Sequence, residues 1–141
     1  MKKLTTVGLI SFILTFPLNN AVNSQELSQV EGKLIYPSDY LPAMLICAVN
    51  LNSRQRFCIK TEEEDSTFVM KIPYGKYMFS AEKIEDSTMK AWMTNIHLEC
   101  GQPCADNPIQ VLTVDINNSL ISGICPCDWY TDKDKLIFPN N

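Results

Sequence analysis

A chain of 141 residues with 12 bases, 16 acids and a formal charge of −4 has room for one domain and one modest core. The acidic balance repels phosphate backbones and anionic lipid head groups, which argues against nucleic acid as a partner. One histidine and five glycines leave little material for a histidine-based catalytic set or a glycine-rich phosphate cradle.

The chain opens like an export signal. Lys2 and Lys3 precede a mostly apolar run over 4–18. At about 15 residues this is short for a membrane span, which needs about 20. Pro17 ends the helical part, and Val22 and Ser24 supply small residues at the spacing a signal peptidase reads. A signal peptide over 1–24, cut after Ser24, is therefore expected; the alternative is an uncleaved N-terminal anchor. Residues 25–141 then form a single domain with a short C-terminal tail over about 131–141, periplasmic or secreted and without a membrane span. Loss of Lys2 and Lys3 makes this part more acidic than the whole. All six cysteines lie downstream of the signal, an even number suited to an oxidising compartment.

Short apolar runs separated by turn residues predict strands. The first covers 30–36 and stops at Pro37. The second, 44–50, is nearly continuous in apolar residues, as for a strand buried on both faces. The third is 56–60. Residues 61–66 read as an acidic turn. Strand 67–73 alternates, with Phe68, Met70 and Ile72 on one face, and 76–83 places Tyr77, Phe79 and Ala81 on one face. Residues 85–90 read as a polar connection, followed by strands over 91–100, 109–116 and 120–125. Met89, Met93 and His97 are spaced by four, as on a helix, but Trp92, Thr94, Ile96 and Leu98 favour strand. Seven or eight strands at intervals of about ten residues predict an all-β fold, an antiparallel Greek-key β-sandwich stapled by disulfides.

The cysteines add geometry. If Asn50 pairs with Gln55 across a four-residue loop, Cys47 faces Cys58 within reach of a disulfide. Cys100 and Cys104 flank Gly101-Gln102-Pro103, which bends sharply enough to close a small ring. Cys125 and Cys127 flank only Pro126, where a bridge is strained. Cross-links such as Cys100 to Cys125 or Cys127 remain alternatives.

Three chemical readings compete with plain staples. Cys100, Cys104, Cys125 and Cys127 are candidates for a tetrathiolate zinc site, but the spacing is not that of a finger or ribbon and export favours oxidation. Met89, Met93 and His97 share a face as strand residues and are candidate soft ligands for copper, against which stands ordinary packing. Cys125 and Cys127 are a candidate redox pair, without a thioredoxin-like pattern around them. No Gly-x-Ser-x-Gly elbow or His-Glu-x-x-His pair occurs. Glu62-Glu63-Glu64-Asp65 reads as a solvated turn, lacking the alternating oxygens of a calcium loop. Trp129 and Tyr130 read as a cap on the core; with Trp92 they are also the candidate aromatic surface for a sugar or peptide.

In Ile72-Pro73-Tyr74-Gly75-Lys76-Tyr77, Pro73 ends one strand, Gly75 is expected to supply the positive φ of a tight hairpin, and Tyr77 begins the next strand pointing inward. This Pro-x-Gly-x-Tyr turn resembles the one that recurs in carboxypeptidase-regulatory-like and transthyretin-like β-sandwiches. Gly32-Lys33-Leu34-Ile35-Tyr36-Pro37-Ser38-Asp39 with Leu41-Pro42-Ala43-Met44, Cys47-Ala48 with Cys58, Cys100-Gly101 closed by Cys104, and Asp128-Trp129-Tyr130 resemble small exported bacterial proteins of that kind. The resemblance covers about residues 30 to 130. It implies a prealbumin-like sandwich without catalysis of its own, used for binding, scaffolding or stabilising. It also implies local pairs Cys47–Cys58 and Cys100–Cys104. Cys125 and Cys127 depart from the pattern and by parity would pair with each other.

The expectation is an exported, non-enzymatic binding or structural module of the cell envelope, without a cofactor, whose partner is an envelope protein or glycan. The alternative is a periplasmic protein handling copper, zinc or thiol redox.

Overall fold

Apolar side chains at every second position place one face of each principal strand on a common core. The computed structural model describes residues 26–94, 107–129 and 136–139, all-β and without a helix among them. The strands are β1 (Leu27–Lys33), β2 (Met44–Asn50), β3 (Arg56–Lys60), β4 (Thr67–Pro73), β5 (Gly75–Lys83), β6 (Asp86–Trp92), β7 (Asn107–Pro108), β8 (Leu112–Val114), β9 (Leu120–Ile124) and β10 (Leu136–Ile137). The first sheet has the order β4-β1-β9. The second has the order β3-β2-β5-β6, with β8 pairing the beginning of β5. The two-residue strands β7 and β10 pair separately.

Val30, Phe68, Met70, Ile72 and Ile124 from the first sheet join Met44, Ile46, Ala48, Tyr77, Phe79, Ala81 and Val114 from the second in one buried cluster. Each large apolar side chain buried this way contributes about 1.5–3 kcal/mol. The second sheet is also buried on its far side at Cys47, Met78 and Ser80, which alternate with the core residues. That is why β2 reads as nearly continuous apolar sequence.

The β2–β3 hairpin has the expected register. Asn50 N–H donates to the Gln55 carbonyl (2.9 Å), and Cys47 lies opposite Cys58 with Cα atoms 4.2 Å apart, joined by a disulfide. Asn50 Oδ1 also accepts from the N–H groups of Asn52 and Ser53, each at 2.9 Å, which holds the loop in shape.

Several expectations are corrected. The first strand spans Leu27–Lys33, not 30–36, because its ladder with β4 begins at Leu27 opposite Pro73. Residues 85–90 are largely strand, not connection: β6 runs from Asp86, and Ser87, Thr88 and Met89 look polar or exposed because they face water on an open strand. The strand expected over 91–100 ends at Trp92, with one further bridge at Thr94; 95–100 lie outside the described residues. The strand expected over 109–116 shrinks to Leu112–Val114. Ile109 instead bridges Thr94, and Asp115 closes a turn by accepting from Asn117 and Asn118. The final strand, expected over 120–125, stops at Ile124. Leu136–Ile137, within the expected tail, pairs with β7.

Nor is the pairing wholly antiparallel. β9 enters the first sheet at the end where β1 begins, so the two are parallel, as are β7 and β10. Pro73-Tyr74-Gly75 is not a hairpin turn. β4 ladders with β1, whereas β5 ladders with β2, β6 and β8, so the chain crosses here from one sheet to the other. Gly75 does carry the expected positive φ (159°), a backbone conformation that residues with a Cβ rarely adopt, but at a change of sheet and not in a hairpin. Its missing side chain matters for space, since a Cβ would lie 2.5 Å from Asn50 Nδ2.

Candidate functional site

The face of the first sheet turned away from the core carries a hollow. Along β1 and β4 the residues between the core positions point outward, so Glu31, Lys33, Thr67 and Val69 share this face. On β9, Ser122 and Gly123 together stand where one residue would, opposite Glu31. Gly123 adopts a left-handed φ of 81°, which glycine takes without steric cost. The bulge leaves a hollow of about 320 Å³ between Glu31, Lys33, Thr67, Val69, Ser122 and Gly123. Its walls offer one carboxylate, one ammonium, two hydroxyls and an apolar side chain. That chemistry suits binding. Three large apolar side chains lie on or beside this face and are more than half exposed: Leu27 (54 %), Val69 (54 %) and Leu120 (56 %). Sequence reasoning missed this surface. The isolated glycine in Ile121-Ser122-Gly123-Ile124 was the available signal for the bulge.

The aromatic candidates separate. Trp129 Nε1 donates to the Ile35 carbonyl (2.6 Å), and its ring meets Tyr36 edge-on, centroids 5.1 Å apart. Trp129 packs against the core from the end of β1. The Tyr36 hydroxyl donates to Met89 Sδ (3.7 Å). Trp92 instead meets Phe138 edge-on at 5.1 Å and lies under the Lys90 ammonium at 4.9 Å, while Lys90 pairs with Glu82. Trp92 and Asp128 are backbone partners, but the two indoles have different ring neighbours and form no common platform. Tyr130 lies outside the described residues.

Two of the three soft-ligand candidates are described. Met89 is exposed at the tip of Tyr36, whereas Met93 packs against the core and pairs its backbone with Phe79 and Gln110. His97, Cys100 and Cys104 lie outside the described residues, as does the expected signal peptide over 1–24. The Cys125 and Cys127 side chains converge around buried Pro126, with Cα atoms 5.2 Å apart, and Cys127 is buried. Among the described residues no three His, Cys, Asp or Glu side chains are grouped to hold a metal ion.

Several carboxylates gather near Tyr40. Leu41 and Glu64 exchange bonds, Glu64 N–H to the Leu41 carbonyl at 2.9 Å and Leu41 N–H to Glu64 Oε1 at 3.4 Å, which ties loop 37–43 to turn 61–66. There the Tyr40 phenol donates to Glu63, and that bond, with the nearby charges of Glu63, Glu85 and Glu64, pushes its pKa up to about 12. Asp86 is held below the usual carboxylate range by the hydroxyl and N–H of Thr88 (2.6 and 3.1 Å).

No protein-family model matches the chain, and neither the curated proteins nor the solved structures contain a match to it. No helix among the described residues is long and apolar enough to cross a membrane.

Proposed function

We propose that this chain is an exported, non-enzymatic β-sandwich of the Greek-key kind, a binding or structural module of the cell envelope that works through the outer face of its β4-β1-β9 sheet. The observation that carries the reading is the hollow over the β9 bulge, with exposed Val69 in its wall and exposed Leu27 and Leu120 on the same sheet. Exposed apolar side chains gathered on one sheet face mark interaction surfaces. The resemblance to carboxypeptidase-regulatory-like and transthyretin-like sandwiches supports the same reading, with an envelope protein or glycan as partner. Disulfides suit an oxidising compartment. Cys100–Cys104 and Cys125–Cys127 complete the proposed set of three bridges.

The test has two parts. The chain is produced with its leader, fractionated, and its N-terminus and thiols are determined. Cleavage after Ser24 with all six thiols blocked is expected; cytosolic material with free thiols overturns the reading. Photo-crosslinkers at Leu120 and, as control, at Lys60 are then compared in whole envelopes. Adducts specific to Leu120 are expected, and equal labelling at both sites removes the outer face from the proposal.

A further inference from the structure

We propose that two copies of this chain join edge to edge through β4, antiparallel, about a two-fold axis at Val69. This goes beyond the reading above, because it rests on the backbone edge of β4, although Thr67 and Val69 also stand in the wall of the hollow.

β4 ladders with β1 on one side, and no described strand pairs its other side. The phase of the ladder is fixed where Leu34 N–H donates to the Ser66 carbonyl (2.9 Å). Ser66 therefore faces β1, and so do the backbone groups of Phe68, Met70 and Ile72. Thr67, Val69 and Lys71 turn their N–H and C=O groups to the open side. The row ends at Pro73, which has no N–H and whose carbonyl accepts from the Tyr77 hydroxyl (2.9 Å). The pairing window is thus 67–71, centred on Val69.

Antiparallel self-pairing about that centre sets Val69 against Val69 of the second copy, and Thr67 against Lys71 of the second copy. Three facing pairs exchange six backbone bonds, the exposed Val69 side chain is covered, and no like charges face each other. Phe68 and Met70 lie side by side across the seam and continue the apolar face.

The β3 and β9 edges do not share this property. On β3, Thr61 N–H donates to Met44 and Asn50 N–H donates to Gln55. That phase leaves Arg56, Cys58 and Lys60 facing out. Self-pairing about Cys58 would set Arg56 against Lys60 of the second copy, a repulsive match. β9 is interrupted by its bulge. An unpaired strand edge is a template for another strand, and the β4 edge complements itself.

Sedimentation velocity on the exported chain, taken up to about 100 µM, is expected to show concentration-dependent dimers. Val69→Pro removes an outward N–H and none of the β1 ladder, so it should give monomer while keeping the β circular dichroism. Val69→Lys sets two ammonium groups face to face and should weaken dimerisation at least ~10-fold. Val69→Cys should form an inter-chain disulfide on oxidation, because the two positions meet at a Cα separation of about 5.5 Å. Monomer throughout for the parent overturns the proposal. So does a dimer indifferent to both Val69→Pro and Val69→Lys, or Val69→Cys cross-linking no faster than Leu120→Cys. If Val69→Pro unfolds, Val69→Lys decides. Leu120 crosslinking in envelopes reports on the outer face separately, so either idea can fail alone.

Discussion

The phenol of Tyr77 donates to the carbonyl of Pro73, four residues back, across the corner where the chain leaves one sheet and enters the other. Tyr77 is wholly buried, and its ring meets Phe57 edge-on at 6.0 Å. Its body fills the core while its hydroxyl satisfies a carbonyl that the change of sheet would otherwise leave without a partner. Tyr77→Phe keeps the packing and strands that acceptor, so urea denaturation should show a loss of about 1–3 kcal/mol at unchanged m-value. A midpoint equal to the parent's would mean the corner does not depend on this bond.

The hairpin disulfide carries a second prediction. Cys47 is buried, faces Cys58 and accepts from Arg56 Nη2 (3.3 Å). Cys47→Ala should lower stability by about 2–5 kcal/mol, read as a drop in melting temperature. Cys58→Ala should match it closely, since either change opens the same bridge. A large difference between the two would point to packing around Cys47, not the bridge, as the stabilising element.

Ser28 lies on the inner face of β1 opposite Ile72, and its hydroxyl is buried without a hydrogen-bond partner in the structure. A buried hydroxyl in that condition costs about 1–3 kcal/mol. Ser28→Ala removes the unpaired group at the expense of a very small void, so the variant should be at least as stable as the parent. A clear loss of stability would show that the hydroxyl is bonded in solution.

Much of this architecture was legible because burial and alternation coincide. Thr67–Pro73 shows its inward face plainly in Phe68, Met70 and Ile72, and the four-residue loop between Asn50 and Gln55 set the hairpin register that brings Cys47 opposite Cys58. β6 was illegible because an edge strand that faces water has the composition of a loop, as Asp86-Ser87-Thr88 does. Pro73-Tyr74-Gly75 signalled a change of direction but could not say which sheet the chain would join, since a corner and a hairpin use the same residues. The parallel β1–β9 match was hidden for a similar reason: strand composition does not encode a distant partner. Of the candidate site residues, Trp129 is partly buried against the core. The hollow depends on a bulge whose register one glycine only hinted at.

Tyr40 supplies a pH-dependent signal. Its hydrogen bond to Glu63 needs the protonated phenol, and the pKa rises from the ordinary 10.0 to about 12. A folded-state pKa above the unfolded one gives stabilisation that is complete below pH 10 and fades as the pH rises through about 12. Phenolate absorbance should therefore show a late-titrating tyrosine that disappears in Tyr40→Phe and moves back toward 10 in Glu63→Gln. A parent titration curve unaltered by either substitution would dissociate Tyr40 from the acidic turn.

The parallel match of β1 with β9 brings together the first strand of the domain and one that follows nearly a hundred residues later. No nascent fragment ending before Ile124 can complete that sheet, so closure waits for almost the whole polypeptide to emerge. Completion of the first sheet is consequently a late event, and a truncation that removes β9 should yield a protease-sensitive chain even though most of its strands are present.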